Sequence, residues 1–374
     1  MINTFPELII ILYAGLYFLV SVVVLAGVKR VKSYGLPAEL PDVSVIVCAR
    51  DEEEDIGRCL DSLLDIDYPR EKLEIILVDD ESGDRTGDIL REYASGSDLF
   101  RVLSTENELH DLPGKQRPLN LGIRKAQGSI ILVTDADIEV QPGWIKGHLA
   151  AYTENTGIVG GITRVSTGQG GILAKLQNAD QVSKLTIAMG CAGLGIPLTI
   201  MGNNCSFRRD AYFACGGFWQ ISASIVEDVE LMYYMTRNTQ YSLNWTSADE
   251  SMACSIPEES LSSFIEQRYR MMSIMKKAPL FGKMLIFMEM IMVLVFVSSI
   301  AASMNNFWPL IITGTAWLAA NSIILMSSPG KKAGDILYVP GMLIFQVIYG
   351  IGLAWRSIFG RKKIAWKHRS YDTR

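Results

Sequence analysis

The sequence predicts an α/β protein built on a doubly wound, mostly parallel sheet, with transmembrane helices at both ends. Three observations carry that expectation. Apolar runs of strand length alternate with helix-length segments through the middle of the chain. Those runs end in carboxylates, and long charge-free apolar stretches stand towards each end.

The chain has 374 residues, enough for one large core or two domains. Its net charge of −5 does not point to nucleic acid as a partner. Hydrophobic residues make up 49%, high for a soluble enzyme, and the excess sits at the two ends. Cys48, Cys59, Cys191, Cys205, Cys215 and Cys254 are scattered, with no C-x-x-C, so neither a zinc site nor a disulfide framework is indicated.

Leu8 to Val28 carries no charge and is long enough to span a bilayer. Lys29, Arg30 and Lys32 follow it directly, whereas a signal peptide carries its positive charge in front. The stretch therefore reads as an anchor whose carboxyl end, with the domain after it, is cytoplasmic. Met290 to Met326 is too long for one span, and Asn305-Asn306 suggests two helices joined by a tight turn. Tyr338 to Trp355 is a fourth apolar segment. Lys331, Lys332 and the basic tail (Arg356, Arg361, Lys362, Lys363, Lys367, Arg369) all read as cytoplasmic. One full span between them conflicts with that, so the fourth segment is re-entrant or interfacial, or it is an exception to the charge rule.

Between the ends the elements follow in order. Val43–Ala49 reads as a first strand, running into Arg50-Asp51-Glu52-Glu53-Glu54 and a helix through Leu64. Glu53 and Glu54 suit a helix start on dipole grounds alone. Glu74–Val78 is a second strand, ending in Asp79-Asp80-Glu81-Ser82, with a helix from Thr86 to Tyr93. Phe100–Leu103 is a third strand. Pro113-Gly114-Lys115-Gln116 opens a helix through Ala126.

Ile130–Thr134 then runs into Asp135-Ala136-Asp137. This run is apolar on both faces, as a buried parallel strand is. Side chains alternate along a strand, so Asp135 and Asp137 point to one side at its carboxyl end, where open α/β sheets bind ligands. Two carboxylates so placed call for a hard divalent cation, or else cap the following helix. No G-x-G-x-x-G follows the first strand and no G-x-x-x-x-G-K-[ST] occurs, which argues against a dinucleotide dehydrogenase and a P-loop NTPase. Further on, Ile158–Ile162 is a strand and Gly168–Lys184 contains a helix. Met189–Ile200 is either a core segment or an interfacial piece. Glu258–Lys276 is amphipathic.

Val47-Cys48-Ala49-Arg50-Asp51-Glu52, Val78-Asp79-Asp80-Glu81-Ser82, Gly114-Lys115 with Leu119-Asn120-Leu121-Gly122, and Thr134-Asp135-Ala136-Asp137 together resemble the family 2 glycosyltransferases of the GT-A fold. Met201–Arg209, Glu227-Asp228 and Gln267-Arg268-Tyr269-Arg270 extend the resemblance to roughly residues 40 to 280. Met271 stands where the Q-x-x-R-W motif has Trp, and Asp51 where Asn is common. The ending Trp366-Lys367-His368-Arg369-Ser370-Tyr371 is similar to the W-K-G-R-x-Y ending of members acting on hopanoid or carotenoid acceptors, with His368 in place of Gly.

The resemblance implies an inverting, metal-dependent hexosyltransferase using a nucleotide-diphosphate sugar, a UDP-hexose by preference. It implies that Glu52 with Asp79 or Asp80 holds base and ribose, and that Asp135 and Asp137 hold Mg²⁺ or Mn²⁺ on the diphosphate. Lys115 and Arg270 would neutralise the leaving group beside Gln267, and Asp228 would be the catalytic base, with Glu230 a weaker candidate. Asn203 and Asn204 would bond sugar hydroxyls, unless they serve a turn, and Arg268 would meet lipid headgroups. The few membrane segments and Met271 favour a lipid hydroxyl acceptor from the bilayer over a processive polysaccharide synthase. The intact acidic motifs disfavour a catalytically dead nucleotide-binding scaffold. The expected division is an anchor over 1–30 and a cytoplasmic GT-A domain over 31–283 with an interfacial helix near 258–277. Membrane segments over 284–357 and a basic tail over 358–374 complete a protein integral to the cell (inner) membrane.

Overall fold

The computed structural model describes residues 5–106, 108, 112–168, 170–221, 226–272, 278–304 and 306–359, and the backbone of 363–366 and 369–372. Lys276, Asn305, Arg361, Lys362, Lys367 and His368, which figure in the expectations above, lie outside the described residues.

The chain forms two compact units. One comprises Val31–Ser166, Thr199–Ile256 and Arg361–Arg374; the other comprises Met1–Arg30, Thr167–Leu198 and Pro257–Gly360.

The first unit is organised by a seven-stranded sheet. Its leading strands are β1 (Val43–Ala49), β2 (Leu73–Asp79), β3 (Phe100–Ser104) and β4 (Ile130–Asp135), all parallel, in the order β3-β2-β1-β4. Helices α2 (Ile56–Leu64), α3 (Thr86–Gly96) and α4 (Gln116–Lys125) connect them. Val45, Ile75, Leu77 and Leu132 are fully buried, as the unbroken apolar runs required. Strand order reverses between β1 and β4, whose register pairs Cys48 with Asp135, so the crevice for a ligand opens at this switch point.

The sheet is mostly parallel, as expected, and β8 (Cys205–Arg208) is its antiparallel strand. It pairs with β4, followed by β6 (Thr156–Gly160) and β9 (Ser242–Trp245). β5 (Ile138–Val140), β7 (Thr163–Val165) and β10 (Ala253–Ser255) make a second, three-stranded sheet. β11 (Lys363–Trp366) and β12 (Arg369–Asp372) pair as an antiparallel hairpin within what reads as a basic tail.

The second unit is helical. It contains α1 (Phe5–Val28), α6 (Gly171–Gly193), α9 (Leu261–Met271) and the helices Leu280–Ala302, Trp308–Met326 and Val339–Phe359. Among the described residues four helices are long and apolar enough to cross a bilayer: Phe5–Val28, Leu280–Ala302, Trp308–Met326 and the segment Ala333–Phe359. The Met290–Met326 stretch divides into two helices as expected. Tyr338–Trp355 lies within one continuous helical segment despite its Pro and Gly.

The expected division at residue 283 differs from the observed one, because α6 and α9 belong to the helical unit. The reason lies in their partners. A methyl group at Gly27 would sit 2.8 Å from the Gly190 carbonyl carbon, and one at Gly190 would meet Val24 O at 2.4 Å, so α1 and α6 cross with their backbones in contact. Asp180 of α6 is completely buried. Its Oδ2 accepts from Lys184 Nζ at 2.7 Å and Arg268 Nη2 at 3.0 Å, and its Oδ1 from Tyr349 OH at 3.0 Å and Gln346 Nε2 at 3.1 Å. One carboxylate thus ties α6 to α9 and to Val339–Phe359. Arg268 corrects a sequence expectation: it is 9% exposed, paired to Asp180 and stacked on Phe264, rather than reaching for lipid headgroups. Among these long apolar helices, Tyr17 OH donates to Glu289 at 2.9 Å and accepts from Asn321 at 3.2 Å, a polar clasp inside an apolar bundle.

Candidate active site

The site is assembled at the carboxyl ends of β1, β2 and β4 and the amino ends of α4 and α8 (Glu227–Asn238). Its centre is the β4 terminus. Asp135 is the last strand residue and Asp137 sits in the turn to β5, both half-buried, with Ala136 buried between them. Gly114, at φ +58°, sends the chain into α4 and Lys115 caps that helix. The Lys115 ammonium donates to Asp135 Oδ1 in a close ion pair. Burial disfavours that charge, but Asp135 and then Glu227 more than compensate, so the lysine pKa is raised.

The carboxylates around this single ammonium are under-compensated. Asp137 is pushed up to about 7 by burial, by Asp135 and by Glu52. Glu227 is pushed up to about 8, chiefly by burial and, against the pull of Lys115, by Asp228. Asp228 is raised as well, again mainly by burial, although the N–H groups of Val229 and Gly202 favour its charged form. Those bonds fix its geometry: Gly202 N donates to Oδ2 at 2.6 Å and Val229 N to Oδ1 at 2.8 Å. A methyl group at Gly202 would meet Asp228 Oδ2 at 2.9 Å, which is why a residue without a side chain stands there.

Hard carboxylate oxygens with no sulfur or imidazole are the donor set of Mg²⁺ or Mn²⁺. Among the described residues no three His, Cys, Asp or Glu side chains gather tightly enough to hold a metal by themselves. A pair of carboxylates suits an ion that takes its remaining ligands from phosphate and water.

Beside this centre a cleft of about 500 Å³ is lined by Arg50, Asp51, Glu81, Gly83 and Asp84. Two of these lining residues are in left-handed backbone, Asp51 at φ +53° and Glu81 at φ +59°. Asp51 is held there by its Oδ1, which accepts from Gly83 N at 2.7 Å. Asp and Asn are the side chains that tolerate this conformation best, which explains a position where both are acceptable.

Some expected donor contacts are not free to make them. Asp80 is 4% exposed, and its Oδ1 already accepts from Thr105 Oγ1 and from Arg117 Nη2, both at 2.8 Å. It orients Arg117, which also reaches Glu81 at 2.9 Å, and its carbonyl holds Arg50 at 2.7 Å. Asp79 Oδ1 accepts from Ser82 N and shapes the loop after β2. Glu52 is half-buried and close enough to influence Asp137.

Asn204 is the clearest correction. It is fully buried and saturated. Oδ1 accepts from Trp144 Nε1 at 2.8 Å and bonds His148 Nε2 at 2.9 Å, while Nδ2 donates to Ile162 O and Ser251 O. Nothing remains for a sugar hydroxyl. Asn203 is half-buried, and its Oδ1 accepts from Thr163 Oγ1 at 2.9 Å.

Gln267 and Arg270 lie on α9 in the helical unit. Gln267 donates to Glu258 Oε1 at 2.9 Å. Burial lowers the pKa of Arg270, with Glu258 and Glu266 opposing, yet a guanidinium remains charged. Glu230 is buried within α8. Sequence reasoning missed Glu227 as a member of the acidic centre, and Arg50 and Arg117 as its cationic flank. Each sits within or beside a motif already noted.

The Asn204 cluster yields a pH expectation. His148 is wholly buried and lowered to about 4, mainly by burial, with the Asn204 bond opposing. Asn204 Oδ1 can only accept, so Nε2 carries the proton and Nδ1 accepts from Ser206. The folded state keeps His148 neutral while the unfolded chain protonates it near 6.5. Stability is therefore intact above about pH 6.5 and falls by up to about 3 kcal/mol as the pH drops to about 4. Thermal unfolding across that range should show the loss, and His148→Gln should flatten it. An unchanged slope in the variant would remove His148 as the cause.

Comparison with known proteins bears on the family and the fold. The profile of glycosyl transferase family 2 matches residues 44–229. Probable glycosyltransferase YdaM of Bacillus subtilis is 33% identical over 202 residues, covering 52% of this chain and 46% of that protein. Beta-monoglucosyldiacylglycerol synthase of Trichormus variabilis is 29% identical over 199 residues, covering 53% of this chain and 42% of that protein. The chain thus spans a little under half the length of these relatives. The structure of mannosyltransferase PcManGT from Pyrobaculum calidifontis, in complex with GDP-Man and Mn²⁺, superposes with a TM-score of 0.59 at 19% identity, covering 94% of this chain and 99% of that one. The fold is of the GT-A type.

Proposed function

Residues 44–229 belong to glycosyl transferase family 2, and from that premise we propose that the protein moves a hexose, with inversion, from a nucleotide-diphosphate sugar to a membrane-lipid hydroxyl. The observation that carries the proposal is the convergence of two parts at one end of the sheet. Asp135, Asp137 and Lys115 form an anion- and cation-handling centre, and Asp228 is a half-buried carboxylate held by backbone N–H groups beside them.

In this reading the nucleoside lies along the cleft at Arg50, Asp51 and Glu81, with Asp80 positioning the arginines. Asp135 and Asp137 hold Mg²⁺ or Mn²⁺. The metal, when bound, supplies a Lewis acid that neutralises charge on the departing diphosphate. Lys115 contributes a further positive charge to those oxygens. Asp228 takes the proton from the acceptor hydroxyl as its oxygen attacks the anomeric carbon from the face opposite the diphosphate. Its raised pKa makes it a stronger base than a solvated aspartate. One displacement inverts the centre, so no nucleophilic carboxylate is required. The roles of Gln267 and Arg270 rest on the motif they occupy, where Arg270 would form paired bonds to phosphate.

A lipid acceptor is supported by the four apolar helices and by the diacylglycerol-directed relative. The basic residues after α1 support a cytoplasmic catalytic unit on the cell (inner) membrane. The test is transfer from radiolabelled UDP- and GDP-sugars by full-length protein in native lipid extract, with Mn²⁺ or with EDTA. A metal-dependent product that partitions into organic solvent is expected. A water-soluble ladder would instead make it a polymer synthase, and no transfer from any donor would overturn the proposal.

A further inference from the structure

We propose that Lys115 is the resident counterion of Asp135, and that a divalent cation binds Asp135 strongly only together with the diphosphate that draws the lysine away. The inference rests on the donor-and-metal reading above and adds an order of events to it. The Lys115 side chain is 18% exposed and is turned inward onto the carboxylate, although its place at the start of α4 leaves solvent within reach. It donates to Asp135 Oδ1, an oxygen that a metal ion would need.

Asp135 and Asp137 alone are a poor cage for a hard cation, which completes its shell with phosphate and water oxygens. An ion arriving by itself has to displace the ammonium from the carboxylate it is paired with, and brings no new acceptor for it. An ion arriving on a diphosphate brings phosphate oxygens to which the same ammonium can donate. A flexible lysine stem allows that exchange without backbone movement. Metal and nucleotide therefore bind with positive coupling, each raising the affinity of the other.

The test is Mn²⁺ binding to full-length protein in detergent, read by electron paramagnetic resonance, with and without UDP or GDP and corrected for metal held by free nucleotide. Wild-type protein should bind Mn²⁺ alone about tenfold or more weakly than in the presence of nucleotide. Lys115→Met should bind Mn²⁺ alone about tenfold more tightly than wild type and lose most of the nucleotide dependence, while Lys115→Arg, which keeps the charge, should stay weak. Lys115→Met binding Mn²⁺ alone no more tightly than wild type overturns the inference and leaves the metal site standing. Should Lys115→Met not fold, equal Mn²⁺ affinity of wild type with and without nucleotide overturns it equally. No Mn²⁺ binding under any condition removes the metal reading and this inference together.

Discussion

Replacing Asp228 by Asn is expected to lower sugar transfer by about 10²- to 10⁴-fold, the usual contribution of a positioned general base. The substitution preserves shape. An Asn Oδ1 turned towards Gly202 N keeps that bond and gives up the one from Val229 N. What is lost is the site that accepts a proton from the acceptor hydroxyl. Nucleotide affinity, measured by calorimetry on the same preparation, should change little. That separation matters, because a loss of binding alongside activity would mean that Asp228 shapes the donor pocket and that the base lies elsewhere. Glu227, buried beside it and facing Lys115, would then be the next carboxylate to examine.

The second large effect is on stability. Asp180→Leu should destabilise the helical unit by about 3–5 kcal/mol, the cost of leaving a buried ion pair with one partner. Asp180 is fully buried and receives four side-chain donors from α6, α9 and Val339–Phe359. Lys184, whose side chain is 41% exposed, can turn to solvent when the carboxylate is gone. Arg268 cannot, since only 10% of its side chain is accessible. The penalty therefore falls on the arginine. Asp180→Leu combined with Arg268→Leu should recover much of the loss, because two apolar side chains replace two charges. Thermal unfolding in detergent gives both values. A double variant no more stable than the single one would show that Arg268 carries little of the effect.

The periodic features were legible in the sequence. Runs such as Val43–Ala49 and Ile130–Thr134 are apolar on both faces, and only a covered parallel strand uses such a pattern. Uninterrupted apolar length identified the helices that are long and apolar enough to cross a bilayer without knowledge of their neighbours. Asp135 and Asp137 stood out as a carboxylate pair closing an apolar run, although only Asp135 belongs to the strand and Asp137 lies in the turn after it. These are local signals, and each is complete within about ten residues.

The tertiary structure decided which polar residues are available. Asn204 and Asn203 are adjacent in sequence and alike in chemistry. Asn204 is saturated by Trp144, His148, Ile162 and Ser251, whereas Asn203 remains half-buried with its own bond to Thr163. Asp80 and Asp79 divide in the same way, one clamped by Thr105 and Arg117 and the other shaping a loop. Arg268, two places before Arg270 on the same helix, is bound to Asp180, 88 residues earlier. No local pattern encodes such partners. A polar side chain is spent or spare according to groups that the fold brings from far along the chain, and burial makes each of those pairings obligatory. The sequence by itself determined the scaffold and the chemistry it can carry; long-range packing decided which carboxylates and amides were left to perform it.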